Sequence, residues 1–380
     1  MLTYNYSQFR KIAISDTTLR DGEQQPGLCF STKQKIKILD ALIDIGVDDI
    51  EIGCAAMYND EQKFFDYAAK KYIDKRLSLW CRLNPHDLDM SIRSGIKNAH
   101  ISIPCSDIQM EATSFCRSKV IDTLYTMFQT AQDNDINVSL GFIDATRSNV
   151  DFILIMTEIA NSLNIKKIRF SDTVGIAMPS YISGLSNILV THFNGMVEFH
   201  GHNDLGLATA NCISAAQGGV HSISVTVNGL GERAGNASLE QVVAALYIGL
   251  ELDTGIKIEK INNLCKLVEK ESKIKIPDKN PITGKAINKH ESGIHCNGIV
   301  KNMETYQFYK PETFGNKNIE LVLGKHSGSS TVIHILESHG IKITRSKARE
   351  LLPSLKKIAS KNKGEVSHQQ LIDLVQSTPT

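Results

Sequence analysis

From residue 11 to about Leu250 the chain alternates between short runs of β-forming residues and longer stretches in which apolar residues recur every three or four positions. The spacing predicts strands at residues 11–15, 49–53, 77–82, 100–104, 137–142, 167–171, 197–200 and 222–227. A helical pattern follows each one. In the helix opening at Ser31, Ile36, Leu39 and Ile43 fall on one face, behind a polar N-terminus suited to capping. Eight successive strand–helix units predict an α/β fold, a closed (β/α)8 TIM barrel with a C-terminal, mainly helical appendage. A doubly wound sheet is the alternative, but no Gly-x-Gly-x-x-Gly follows the first strand.

After Leu250 the pattern changes. A helical stretch (258–271) leads into the loop Pro277-Asp-Lys-Asn-Pro-Ile-Thr-Gly284, and residues 329–380 read as small amphipathic helices. The expected division is a catalytic barrel over 1–275 and a linker with helical subdomain over 276–380. The second segment reads as too short and too weakly apolar for a core of its own. It is therefore expected to pack on the barrel or on a second subunit.

Composition narrows the class. The chain has 380 residues, 42% hydrophobic and 22% charged, which suits a globular protein with a sizeable core. The net charge of +1 offers no global argument for nucleic acid or an anionic membrane. Lys356, Lys357, Lys361 and Lys363 read as a solvated helix face. Met1 to Arg10 is polar, without an apolar signal core, and no run long enough to span a membrane appears. The eight cysteines are scattered, with no Cys-x-x-Cys pair. Free thiols in a reducing, cytoplasmic setting are the expectation.

The chemistry gathers where strands end. Arg20-Asp21, Arg82-Leu-Asn84, Ser106-Asp107, Asp144, Asp172-Thr173, His200-Gly-His202 and Asn228-Gly-Leu-Gly-Glu-Arg all follow predicted strands. In a (β/α)8 barrel those ends converge on the catalytic face. His200 and His202 share one side of their strand, because side chains at i and i+2 do. With Asp21 they make a carboxylate–diimidazole set for a divalent ion; Mg, Mn and Zn are not separable on ligand type. Such an ion keeps open positions and can chelate a 2-oxo acid, with Arg20 placed to stabilise an alkoxide. Thr173 is a candidate for the substrate carboxylate. Glu198 shares the strand face with both histidines: it either orients a ligand or substrate, or is a buried, paired structural carboxylate. The glycine-rich loop from Gly229 brings Asn236, a further oxygen ligand.

Three motifs then carry a resemblance: Asp16-Thr-Thr-Leu-Arg-Asp-Gly-Glu-Gln24, Glu198-Phe-His-Gly-His-Asn-Asp-Leu-Gly206 and Asn228-Gly-Leu-Gly-Glu-Arg-Ala-Gly-Asn236. With His290-Glu-Ser-Gly-Ile-His295 and Leu323-Gly-Lys-His-Ser-Gly328, the chain resembles the homocitrate synthase and 2-isopropylmalate synthase family from about residue 11 to its end. These are Claisen-type 2-oxo acid acyltransferases. The resemblance is greatest to the short, nitrogen-fixation type of homocitrate synthase, and this chain likewise ends too early for the C-terminal regulatory domain of longer members. The resemblance implies acetyl-CoA as co-substrate and a homodimer with shared active sites. It implies Asp21, His200, His202 and Asn236 at the metal and Arg20 at the keto group. Gln24, Thr173 and Glu198 would line the 2-oxo acid and metal pocket, Glu198 in a catalytic role, and Arg82, at its strand end, is a further candidate for binding substrate. His295 and Tyr306 would reach the partner subunit's site and act on the acetyl group, and His326 would be structural.

The chain departs from that pattern in places. Ala55 stands where the nitrogen-fixation type has Pro, Tyr58 where it has Gly, and Ile143 where the family has Glu. Ser139 occupies the position of an Arg that grips the distal carboxylate of 2-oxoglutarate in some homocitrate synthases. A bulkier, less polar pocket suits a different 2-oxo acid. Homocitrate synthesis is thus the leading expectation and another alkylmalate synthesis the second. A metal-dependent carbon–carbon lyase and a non-catalytic barrel are the competing classes. The Gly-Leu-Gly-Glu-Arg-Ala-Gly-Asn loop and the appended segment oppose the lyase. The intact set of Arg20, Asp21, His200 and His202 opposes the non-catalytic barrel.

Overall fold

The computed structural model describes residues 11–73 and 76–377; the reading of Met1 to Arg10 lies outside them. Eight parallel strands pair in chain order and close into a barrel: β1 (Ala13–Asp16), β2 (Asp49–Cys54), β3 (Arg76–Arg82), β4 (Asn98–Pro104), β5 (Asn137–Ile143), β6 (Lys167–Asp172), β7 (Met196–Gly201) and β8 (Ser222–Val225). β8 returns to β1 in the register Ala13↔Ser222 to Asp16↔Val225. All eight predicted strands are present.

The alternation within each strand decides where the core lies. Ile101 and Ile103 on β4, Leu140 and Phe142 on β5, Ile168 and Phe170 on β6, and Val197 and Phe199 on β7 are fully buried. They form the apolar face. The other parity points into the barrel: Arg169 on β6 reaches Glu51 on β2, a strand it does not neighbour, and only the interior permits that. Barrels of this type normally fill that interior with branched apolar layers. Here it holds Ser15, Glu51, Ser78, His100, Ser139, Arg169, Glu198 and Ser222.

The first helix, Thr32–Ile45, starts at a capping box between Ser31 and Gln34 and stops at Gly46, whose φ of 100° suits glycine. Its buried face is Lys35, Ile38, Leu39, Leu42 and Ile45. Ile36 and Ile43, expected on that face, are half-buried at its edge. The face is turned because Lys35 folds inward, paired to Glu23 and Glu61. All eight cysteines are free thiols. Among the described residues no helix is long and apolar enough to cross a membrane.

The chain divides into two compact units, Met1–Ile276 and Pro277–Thr380. The second corrects the expectation that it lacks a core. Helices Ser329–Ser338, Arg345–Asn362 and His368–Ser377 enclose a cluster that includes Val332, Ile335, Leu336, Leu351, Leu355 and Leu371. Apolar residues three and four apart give each helix one buried stripe. Upstream, Lys289–His290 pairs in parallel with Glu320–Leu321. The two sequence motifs of this unit interlock: Glu291 accepts the amide of His326 (2.9 Å), and Gly293 donates to the His326 carbonyl (2.9 Å).

Candidate active site

At the carboxyl ends of the strands one carboxylate oxygen gathers three cation-seeking or cationic groups. Asp21 follows β1, at the start of a short 3-10 turn (Gly22–Gln24). Its Oδ2 lies 3.1 Å from Nε2 of His200, 3.6 Å from Nε2 of His202 and 3.3 Å from Nη1 of Arg20. The two imidazole Nε2 atoms are 3.3 Å apart. His200 ends β7 and His202 follows it, so the i, i+2 geometry brings both rings to the same place. Asp21, His200 and His202 are all buried.

The electrostatics keep Asp21 and His202 in ligand form. Burial alone would raise the Asp21 carboxyl, but Arg20 and His200 hold it well below the usual carboxylate range. Burial, with His200 beside it, lowers His202 to about 4, so its imidazole is neutral at pH 7. His200 Nδ1 lies 3.1 Å from the Ser224 hydroxyl; when it donates there, the Nε2 lone pair faces Asp21. Beside the cluster, His202 Nδ1 and Asn236 Oδ1 are buried atoms without a partner among the described residues. Asn236 bridges to His202 through the backbone, and its amide donates to the Leu230 carbonyl (2.9 Å), leaving the oxygen free. Three ligand atoms within 4.8 Å of one another and an orphaned oxygen on the neighbouring segment fit a divalent ion.

Arg20 is fixed from below and from the side. Its Nε donates to Glu51 Oε1 (2.6 Å), and its guanidinium carbon lies 5.2 Å from the Trp80 ring centre. Glu51 also accepts from the Thr17 hydroxyl (2.8 Å) and from Arg169 (3.1 Å). Burial would raise Glu51, yet Arg169 and Arg20 hold it well below the usual range. Gln24 Oε1 is 3.5 Å from Arg20 Nη1, which brings Gln24 to the cluster's edge. Cys54, at the end of β2, faces the Gln24 amide; burial pushes its thiol up to about 11 despite Arg20, so it stays protonated.

The structure corrects the expectation for Glu198. It sits two residues deeper along β7, and its oxygens take Arg169 (2.5 Å), Lys167 (2.6 Å) and Ser222 (2.7 Å). It is the buried, paired structural carboxylate. Thr173 accepts the Asp144 amide (2.8 Å), and its carbonyl receives Arg233, which also clasps Asp204. Arg82 is held by Asp87 through two bonds, of 2.9 and 2.8 Å, and makes no described contact with the cluster. Ser139 Oγ lies 2.8 Å from His100 Nδ1, within hydrogen-bond distance. In the C-terminal unit His295 and Tyr306 stack with ring centres 4.1 Å apart, Tyr306 being 42% exposed.

Sequence reasoning missed Glu51, Trp80 and Arg169. A signal for two of them was present: charges at 49 and 51, 167 and 169, and 198 fall on one parity of buried parallel strands. Side chains of that parity meet inside the barrel and must pair there.

Comparison with known proteins covers both units. The HMGL-like family model matches residues 11–268, and the model described as homocitrate synthase post-HMGL domain-like matches residues 282–363. Homocitrate synthase 1 of a Nostoc species is 36% identical over 366 residues, covering 96% of this chain and 97% of that one. A 2-isopropylmalate synthase of Sulfurisphaera tokodaii is 38% identical, covering 92% and 91%. Among solved structures, the HMG-CoA lyase of Bacillus subtilis superposes with a TM-score of 0.61 over 71% of this chain and 96% of its own, at 22% identity, a likeness of fold alone.

Proposed function

Because this chain belongs to the HMGL-like family, with relatives that are condensing synthases along its whole length, we propose that it joins the acetyl group of acetyl-CoA to a 2-oxo acid. The observation that carries this reading is the convergence of Asp21, His200 and His202 beside Arg20 at the carboxyl end of the barrel. A divalent ion bound by Asp21, His200, His202 and the Asn236 oxygen would supply Lewis acidity toward the keto and carboxylate oxygens of the 2-oxo acid.

The chain's own groups do the rest. Arg20 presents a guanidinium that Glu51, Asp21 and Trp80 hold in place before reaction, so it stabilises negative charge on the keto oxygen without reorganising. Gln24 borders that charge, and Thr173 receives the substrate carboxylate. A base takes a proton from the acetyl methyl, and the resulting carbon nucleophile forms a bond to the keto carbon. The keto oxygen gains a proton and becomes a hydroxyl. One water then cleaves the thioester and releases CoA as the free thiol. His295 and Tyr306 of one subunit act on the acetyl group in the site of its homodimer partner.

Homocitrate synthesis from 2-oxoglutarate is the leading finer reading, supported by the Nostoc relative and the motif set. A second reading, an alkylmalate synthase acting on another 2-oxo acid, is favoured by Ser139, whose hydroxyl is engaged with His100 where an Arg would grip a distal carboxylate. A free-thiol assay for CoA release, run with metal-loaded protein across a panel of 2-oxo acids, tests both. Release dependent on one 2-oxo acid supports condensation and identifies the acceptor. No release with any member removes the proposal.

A further inference from the structure

Below the ion layer, at the end of the barrel opposite the metal cluster, lies a cavity of about 490 Å³. Its rim is built by the first residues of six strands: Asp49, Arg76, Asn98, Asn137, Lys167 and Met196. Its roof is Ser15, Ser78, His100, Ser139 and Arg169. Three serines stand where branched apolar side chains normally fill a barrel layer. The roof is therefore polar, while Phe128, Ile136, Val138, Leu163 and Ile165 add apolar lining beside it.

The lining is rich in donors. Arg76 and Lys166 stand exposed at the mouth, with Lys167 and Arg169 within. Asp49 is the acid among the lining residues, and it already holds Lys167 at 2.8 Å. Glu51 and Glu198 stand behind Arg169 and Lys167. His100 is 2% exposed; its Nδ1 meets Ser139, and its Nε2 has no partner among the described residues. A volume of this size is that of a small-molecule site. We propose that the cavity is a second ligand site, which takes a small oxyanion, carboxylate or phosphate, through the amino-terminal mouth of the barrel.

The same geometry couples it to the catalytic end. Arg169, in the cavity roof, donates to one oxygen of Glu51 (3.1 Å), and the other oxygen holds Arg20 (2.6 Å). An anion beside Arg169 competes with Glu51 for it. Glu51 then binds Arg20 more tightly, and less of that positive charge reaches the substrate oxygen. Occupancy is thus inhibitory, through a contiguous chain of three ionic side chains.

The test uses full-length, metal-loaded protein and two probes, inorganic phosphate and tricarballylate, with binding followed by calorimetry. Arg76→Glu combined with Lys166→Glu reverses charge at exposed positions of the mouth, and Arg20→Ala disables the opposite end. One anion per chain should bind to wild type and to Arg20→Ala, and at least tenfold more weakly to the double variant. Which probe binds tells a carboxylate site from a phosphate site. The double variant should keep the wild-type rate of CoA release without anion and escape the inhibition that the binding anion causes in wild type. Binding lost in Arg20→Ala but kept in the double variant would place the anion at the upper site and overturn the proposal. Binding of neither anion would mean a water-filled cavity and overturn it too, and binding without inhibition would overturn the coupling.

Discussion

Replacing Glu51 with Gln tests whether the ion layer beneath the site holds the barrel together. Glu51 is fully buried and accepts from Thr17, Arg20 and Arg169. Gln keeps the shape but turns one acceptor oxygen into a donor, so one guanidinium faces an N–H. Removing one partner of a buried ion pair costs about 3–5 kcal/mol. Here Arg20 retains Asp21 at 3.3 Å and Arg169 retains Glu198 at 2.5 Å, so neither charge is orphaned. The expected loss is accordingly at the low end, about 3 kcal/mol. With a urea m-value of about 3 kcal/mol/M for a unit this large, the midpoint falls by about 1 M. Trp80 is the chain's one tryptophan and packs on Arg20, so its emission reports the barrel's unfolding apart from the C-terminal unit. The measurement is made on metal-free protein, so that ion binding does not add to stability. It also has a pH signature. Burial opposes the Glu51 charge, but Arg169 and Arg20 hold its folded pKa well below the unfolded 4.5. Its stabilisation is full above pH 4.5 and is lost as pH falls below that toward the folded value. The gap between wild type and variant should therefore narrow in acid. A loss under about 1 kcal/mol at pH 7, or a gap that does not change in acid, would refute the reasoning.

Arg20→Ala should lower kcat by about 10²-fold or more, the scale of losing one oxyanion donor, whereas a change confined to KM would mean that Arg20 only binds substrate. Gly141→Ala should destabilise the barrel by about 1–3 kcal/mol in urea unfolding, because the new Cβ would lie 2.5 Å from His100 Nε2 and 2.8 Å from Ser102 Oγ. An unchanged midpoint would mean that this interior layer is loosely packed. Mixing Arg20→Ala with Tyr306→Phe should restore part of the activity, since a heterodimer with shared sites regains one intact site. Absence of recovery after proven subunit exchange would place Tyr306 outside the partner's site.

The barrel was legible because its strands alternate and because polar residues cluster after each of them. The convergence of Asp21, His200 and His202 was legible for a local reason: the two histidines are two residues apart at the end of one strand, and only Asp21 must arrive from elsewhere. What is missing from a linear reading is which charges meet across the barrel. Glu51, Arg169 and Glu198 lie on β2, β6 and β7, separated by up to 147 positions, and closure alone brings them together. That closure also explains the correction at Glu198: its parity matches His200, but its depth places it among the cations of β6. The C-terminal core was underrated because its apolar residues are spread over three separate helices, none strongly apolar alone.

The central claim, carbon–carbon bond formation from acetyl-CoA, is tested most directly by the fate of the acetyl carbons. Metal-loaded protein is incubated with acetyl-CoA labelled with ¹³C at both acetyl positions and with the 2-oxo acid that supports thiol release. The products are resolved by mass spectrometry. The expected result is a hydroxy acid carrying both labelled carbons, the former methyl carbon bonded to the former keto carbon and the other as a carboxylate, one free CoA per product, and no product after chelation of the metal. Thiol release that leaves the label in acetate, with no new carbon–carbon bond, would contradict the account.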